Sequence, residues 1–215
     1  MPQAEVRPVE PEAPPAEEGN GSIGEVLEIL DARESQEAVV CLVNGAKNHV
    51  LLMGFTYDRP EINDALLRAA ERDVTVKVAL DRRTTLSGKP RDQQQMAQQL
   101  QANRIAVVLQ HGAPLGPEYA RVHRSVSGTG LLHAKCLLAD DMLLVGSANW
   151  TTSSRGNMEV GALLRLYPSS TQAVMETLEN RLVGAETLAA ALETSHQKRG
   201  RSSSRRRVDV EEYED

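Results

Sequence analysis

A histidine, a lysine, a serine and an asparagine fall close together between Leu131 and Trp150, set on two short apolar runs. His133 and Lys135 stand two residues apart in the first run. Asp140 follows it, and Gly146-Ser147-Ala148-Asn149 closes the second. On an extended strand residues two apart face the same way, so His133 and Lys135 are expected on one face, with Leu132, Ala134 and Cys136 in the packing. A histidine beside a lysine has few structural uses, because neither stabilises the other and two cations repel if the imidazole is protonated. A phosphate between them removes the conflict. The ammonium would then meet its non-bridging oxygens, and the imidazole could act as nucleophile or as acid and base near neutral pH. Ser147 and Asn149 add neutral donors suited to phosphate oxygens, and Gly146 permits a tight backbone. Glu159, expected to begin the next strand, could accept from the second nitrogen of His133 and fix its tautomer. Taken singly, a strand histidine is usually structural, Ser147 and Asn149 would be turn residues, and Glu159 a surface charge. Asp140 reads even here as a turn residue binding backbone amides. Together, in this order, the residues read as a site that holds a phosphate and attacks it.

The elements that must position this array alternate between strand and helix. Gln36 to Ala46 places Val39, Leu42, Val43 and Ala46 at helical spacing, and Val50 to Phe55 is a continuous apolar run that reads as a buried strand. Asp58-Arg59-Pro60-Glu61 predicts a helix start capped by Asp58 and running to Arg72. Val74 to Leu80 is a strand, Met96 and Leu100 mark a helix ending near Asn103, and Ile105 to Leu109 is a third strand. This alternation predicts an α/β domain with a mixed, largely parallel central sheet. Gly112 to Gly130, rich in glycine and proline, reads as a long loop. Leu131 to Leu138 and Met142 to Val145 have hairpin spacing around Ala139-Asp140-Asp141. A strand from Glu159 to Leu166 and a helix from about Ser169 to Thr194 complete the domain.

The ends differ in composition. Residues 1–22 hold five of the ten prolines and a net charge of about −4, with no apolar periodicity, which predicts a disordered acidic segment. Residues 196–215 run from a basic block, Lys198 to Arg207, to an acidic end, and are expected to be a disordered tail. A nuclear-import or nucleic-acid-binding segment is the sharper reading of that block. The folded domain is expected over 23–195. The whole chain carries a formal charge of −6. No global positive field draws it to nucleic acid, so any such binding must use a local patch, with Arg82, Arg83, Lys89, Arg91, Arg121 and Arg124 as candidates. Nothing resembles a signal peptide or a membrane span. A soluble intracellular protein, cytoplasmic or nuclear, is favoured, with membrane-surface or mitochondrial association left open. Cys41 and Cys136 are too few for a disulfide framework or zinc site and are expected as buried thiols.

His133-x-Lys135-(four residues)-Asp140, followed by Gly146-Ser147-x-Asn149, resembles the HKD motif of the phospholipase D superfamily. Met53 to Tyr57, the helix to Arg72 and Val74 to Asp81 are similar to that family's opening strand–helix–strand unit, so the resemblance spans roughly residues 37–182. The gap from Asp140 to Gly146 is about one residue shorter than the family pattern, which predicts a tighter turn. Asp73 stands where the family commonly has glycine, and an aspartate in a left-handed cap would serve there. The resemblance implies an α/β/α sandwich, no cofactor and no metal. It implies that His133 is the nucleophile of a phosphohistidine mechanism, that Lys135, Ser147 and Asn149 bind phosphate, and that Glu159 orients the histidine. The mechanism needs a second histidine. Larger members carry two motifs, so a one-motif chain is expected to pair as a homodimer sharing one active site; His123 is the weaker candidate within the chain. Small single-motif members resemble two kinds of enzyme, the bacterial Nuc-type endonucleases and the mitochondrial cardiolipin hydrolase/Zucchini group. Three readings follow: a nuclease on single-stranded nucleic acid, a hydrolase of cardiolipin or a similar phospholipid, and a phosphate-binding module without catalysis.

Overall fold

A computed structural model describes residues 21–88, 91–114 and 129–197. Of the segments expected to be disordered, 1–22 and 196–215, residues 1–20 and 198–215 lie outside the described residues, as do His123, Lys89, Arg121 and Arg124, while residues 196–197 end a helix. Among the described residues nine strands form one mixed sheet in the order β1-β8-β7-β6-β2-β3-β4-β5, with β9 also on β4. The strands are β1 (Gly24–Leu30), β2 (His49–Gly54), β3 (Thr75–Asp81), β4 (Ala106–Pro114), β5 (Thr129–Leu131), β6 (Lys135–Ala139), β7 (Met142–Gly146), β8 (Gly161–Leu166) and β9 (Glu186–Thr187). The α/β class and the mixed sheet are as expected. Parallel pairing is confined to β2-β3-β4, however, and the other pairings are antiparallel. Between β6 and β7 the cause is the two-residue turn Asp140-Asp141, which pairs Ala139 with Met142 and can join only antiparallel strands.

Helices cover both faces. On one lie α1 (Ala32–Gly45), α2 (Pro60–Glu71), α4 (Arg91–Ala102) and α6 (residues 188–197), packed on Val50, Leu52, Val76, Val78, Leu137 and Leu144. On the other, α5 (Pro168–Asn180) sets Val174, Met175 and Leu178 against a cluster containing Leu51, Met53, Ala79, Cys136 and Leu138. Among the described residues no helix is long and apolar enough to cross a membrane.

Local chemistry explains where the elements differ from the expectation. α1 starts earlier, because Asp31 and Glu34 form a reciprocal capping box with both hydrogen bonds at 2.8 Å. Asp58 does not cap α2. Arg59 is the capping residue, with no side-chain capping bond, and Asp58 instead accepts the Thr152 N–H at 2.7 Å. Asp73 does adopt the left-handed conformation, φ 63°, closing α2 with a Val74 N–H to Ala69 carbonyl bond. The run expected as one helix from Ser169 to Thr194 is broken after Asn180, where Gly184 has φ 81° and β9 intervenes. Cys136 is buried, its thiol pushed up to about 12 by that burial, whereas Cys41 is exposed on the outer side of α1. The expected single strand from Leu131 to Leu138 is two strands, β5 and β6, with Leu132 to Ala134 irregular between them. The expected loop over residues 112–130 begins later, since β4 runs to Pro114 and pairs β5.

Candidate active site

The break before β6 changes how His133 and Lys135 meet. His133 is exposed in the irregular link, and Lys135 is the first residue of β6 and 5% exposed. They do not share a flat strand face. Lys135 reaches back instead, placing its Nζ 2.9 Å from His133 Nδ1, 3.1 Å from Nε2 and 2.9 Å from the His133 carbonyl. An ammonium has no acceptor lone pair, so these distances suit a neutral imidazole. Partial burial and then the charge of Lys135 hold His133 below the ordinary histidine range, with the Asp81 charge opposing them. Burial lowers Lys135 from its ordinary value, with Glu159 opposing. Among the described residues no carboxylate lies within ion-pair distance of the Lys135 ammonium.

Two residues outside the expected set hold the histidine. Phe55 packs its ring 4.7 Å from the imidazole, centroid to centroid, and lies 5.4 Å from Lys135 Nζ. Asp81, fully buried at the carboxyl end of β3, accepts the Leu132 N–H through Oδ2 at 3.0 Å. Its Oδ1 accepts the Thr84 N–H at 2.8 Å and the Thr84 hydroxyl at 2.7 Å, which starts the short helix α3 (Arg82–Ser87). One carboxylate thus ties the residue before His133 to the sheet. The available signal was position: a carboxylate directly after an apolar strand, at the end of the sheet where α/β sites assemble.

The second half of the array stands on the loop after β7. Gly146 pairs with Gly161, and a Cβ at Gly146 would lie 2.8 Å from the Val160 carbonyl oxygen. Close approach, not an unusual dihedral, is what that position requires. Ser147 donates its hydroxyl to Glu159 Oε2 at 2.5 Å, and Asn157 donates to Oε1 at 3.1 Å. These two bonds, helped by Lys135 and opposed by burial, hold the Glu159 carboxyl below its usual range. Glu159 precedes β8 instead of beginning it, and its carboxylate meets Ser147 and Asn157, not His133 of the same chain. The Asn149 side-chain amide makes no hydrogen bond among the described residues, and its Oδ1 is buried. Its main chain is fixed, because Gln36 Nε2 donates to the Asn149 carbonyl at 2.8 Å and to that of Thr151 at 2.9 Å. Trp150, 1% exposed, donates its indole N–H to the Met53 carbonyl at 2.8 Å. A Cβ on Gly54 would stand 2.8 Å from that indole. Gly54 is also the partner of Lys135 across β2 and β6, so the end of β2 is the common support of both halves.

Asp140 stands apart from these groups. At φ 51° it accepts the backbone N–H groups of Lys47, Asn48 and His49 at 2.8, 3.0 and 3.0 Å, which joins the hairpin turn to the start of β2, away from Lys135. Of the other described histidines, His49 lies 3.9 Å from Asp140, His196 is exposed in α6, and His111 lines a cavity with His133. Arg82 is paired with Glu186 at 3.2 Å and is no free phosphate ligand.

Residues 39–182 match the family described as cardiolipin synthase, PLD-like domain. No curated protein matches the chain by sequence. Among solved structures, the fold is similar to Nuc of Salmonella typhimurium, a phospholipase D family member, with a TM-score of 0.58 and 18% identity over 74% of this chain and 95% of that one. It is similar to NucT from Helicobacter pylori, with a TM-score of 0.61 and 16% identity over 74% and 97%. It is also similar to a phosphatidylserine synthase of Haemophilus influenzae, with a TM-score of 0.54 and 14% identity over 74% of this chain and 38% of that one.

Proposed function

This chain belongs to the phospholipase D-like family, and from that premise we propose that it is a metal-independent phosphodiesterase working through a phosphohistidine on His133. The observation that carries the reading is the Lys135 ammonium. It is buried, has no carboxylate partner among the described residues, and stands 2.9 and 3.1 Å from the ring nitrogens of a histidine whose pKa burial and that ammonium lower. A buried charge is costly unless paired. A substrate phosphate would pair it and would lie beside the imidazole that attacks it. His133 forms the phosphorus–nitrogen bond as the ester oxygen leaves with a proton from a general acid. The group that gave the proton then takes one from water, which breaks the phosphorus–nitrogen bond. Lys135, Ser147 and Asn149 meet the non-bridging oxygens.

The general acid is supplied by a second copy, in a homodimer sharing one active site. The surface beside the half-site supports this. Ile29, Ala162 and Val145 form one row across β1, β8 and β7, and Val26 with Leu164 forms the next. These rows lie on the face covered by α5, yet Ile29 is 65%, Val26 57% and Val145 38% exposed. Val160 and Met158, which flank Glu159 in sequence, are exposed apolar residues as well. Since Glu159 does not meet the histidine of its own chain, the imidazole it orients is that of the second copy.

Nucleic acid is the favoured substrate. The solved relatives named Nuc and NucT, which this chain spans almost completely, support a nuclease on single-stranded nucleic acid. The family description, cardiolipin synthase, supports a phospholipid hydrolase as the second reading. Purified protein in EDTA, offered labelled single-stranded DNA, RNA and cardiolipin vesicles beside the His133→Asn variant, tests both. Cleavage of one substrate that resists EDTA and is lost in the variant is expected. Loss of all activity in EDTA sinks the metal-free mechanism, and an unchanged biological activity in His133→Asn points to a phosphate-binding module.

A further inference from the structure

Beside His133 opens a cavity of about 530 Å³ that the phosphate chemistry does not use. Leu132 and His133 form one wall, Gln110 and His111 another, and Asn180 and Arg181 at the end of α5 a third. Its volume falls within the roughly 300–1,000 Å³ of small-molecule sites. Gln110 spends its amide on the scaffold: Nε2 donates to the carbonyls of Arg181 and Val183, both at 3.1 Å, and Oε1 accepts the His111 N–H at 3.0 Å. The turn carrying Arg181 is thereby pinned to β4. Arg181 is exposed and has no carboxylate partner among the described residues, whereas Lys77 is paired with Glu179 and Arg82 with Glu186. An arginine on a fixed turn, lining a cavity that also reaches His133 and without an ion-pair partner among the described residues, is suited to an anion, and its planar donors suit phosphate.

Building on the phosphodiesterase reading, we propose that this cavity is the subsite for the nucleotide adjoining the scissile phosphate. Arg181 binds the next phosphate along the strand, and His111 faces the sugar or base. The substrate class is then a single-stranded polynucleotide. The lining is mixed, with Met53, Leu131, Leu132 and Val183 beside Gln110, His111, Asn180 and Arg181, which suits a base and sugar next to a phosphate; a lipid is the alternative that the vesicle arm of the test addresses.

The test uses the full chain in EDTA, as wild type, Arg181→Ala, Arg181→Lys and His133→Asn. The substrates are a labelled single-stranded oligonucleotide, cardiolipin vesicles and bis(p-nitrophenyl) phosphate, a diester with no neighbouring phosphate. Arg181→Ala is expected to raise KM for the oligonucleotide about tenfold to a hundredfold, the value of one charge-assisted contact, with kcat little changed. It should also lower the salt slope of oligonucleotide binding by about 0.7. Its effect on the small diester should be far smaller, and Arg181→Lys should recover part of the loss. Equal effects on oligonucleotide and small diester, or none on the oligonucleotide, overturn the subsite. Loss confined to cardiolipin vesicles overturns it in favour of a lipid. If wild type cleaves none of the three, or His133→Asn cleaves as wild type does, the phosphodiesterase reading itself fails.

Discussion

Replacing Asp81 by asparagine should separate the anchoring of the nucleophile from the stability of the sheet. The carboxylate accepts three hydrogen bonds while fully buried, two from Thr84 and one from the Leu132 N–H. Asparagine keeps one acceptor oxygen. If that oxygen stays on Thr84, the new amide faces the Leu132 N–H, donor against donor. A buried N–H left unpaired costs about 1–3 kcal/mol, and losing a charged acceptor weakens the remaining bonds as well. If the amide turns the other way, the α3 cap is lost instead, at about 1 kcal/mol. The expected loss of stability is therefore about 2–4 kcal/mol, read as a lower denaturant midpoint at unchanged slope. Out of the 5–15 kcal/mol of an ordinary domain this leaves a folded protein.

The catalytic consequence is larger in proportion. Leu132 precedes His133, the proposed nucleophile, and a displacement of about 1 Å at a reacting group can cost about a hundredfold in rate. Asp81→Asn should lower kcat/KM on bis(p-nitrophenyl) phosphate by about that factor under conditions where it is folded. The pH profile supplies a readout that loosened packing alone would not move. The Asp81 charge raises the His133 pKa, so its removal should shift the acid limb of kcat/KM to lower pH. Thr84→Ala is the control. It removes one hydroxyl bond to Asp81 and leaves the Leu132 end intact, so it should cost about 1 kcal/mol of stability and no activity. Wild-type kcat/KM in Asp81→Asn, alongside the expected drop in stability, would refute the claim that Asp81 positions His133.

Other outcomes follow from the same geometry. Because partial burial and Lys135 depress the His133 pKa, the neutral nucleophile persists to lower pH than usual, and the acid limb of kcat/KM should fall below the ordinary histidine value of about 6.5; a limb above 7 counts against the assignment. Asp140→Ala strips three backbone N–H groups of their acceptor and should lower stability by about 2–4 kcal/mol in denaturant melts, with activity retained in the folded fraction. Partial burial works against ionisation of Asp140, but the N–H groups of His49, Lys47 and Asn48 outweigh it and hold its folded pKa below the unfolded value. Its contribution to stability is thus present above about pH 3.9 and should be lost as pH falls through the folded value, a step that the alanine variant should lack in acid titrations. Ile29→Asp puts a charge on the exposed apolar stripe and should shift sedimentation from dimer to monomer with loss of activity; an active monomer would rule out the shared site.

The fold was legible where apolar pattern and burial coincide. Val50 to Gly54 reads as a buried strand and is one, and the alternation of Val74, Val76 and Val78 places all three in the core. β1 escaped because a bulge between Val26 and Glu28 spoils its alternation and leaves Val26 and Ile29 exposed on one face. The chemical residues were legible from type and spacing, but their mutual geometry was not. A strand was the natural reading of Leu131 to Leu138, and only the distant Asp81, accepting the Leu132 N–H, accompanies its break at His133. The partner of Glu159 was misplaced for a similar reason. Sequence order set it beside the histidine, whereas the Gly146–Gly161 pairing sets it beside Ser147. Long-range hydrogen bonds of this kind leave no periodic trace.

What unites the site is that one residue serves two requirements that usually compete. A nucleophilic histidine must be neutral, and a phosphoryl group under attack gains negative charge, so a nearby cation is needed that does not hand its proton to the imidazole. Lys135 meets both. Its ammonium stands close enough to depress the histidine, and it is already desolvated where the oxygens will bear the developing charge. Desolvation alone would threaten its own protonation, since burial lowers its pKa, and Glu159 opposes that fall from beyond ion-pair distance. A direct salt bridge would have neutralised the ammonium and occupied the phosphate position. Ser147 and Asn157 hold the carboxylate off and keep it ionised. Lys135 is thus left without an ion-pair partner among the described residues, the condition under which the proposed phosphodiester would bind most favourably beside His133.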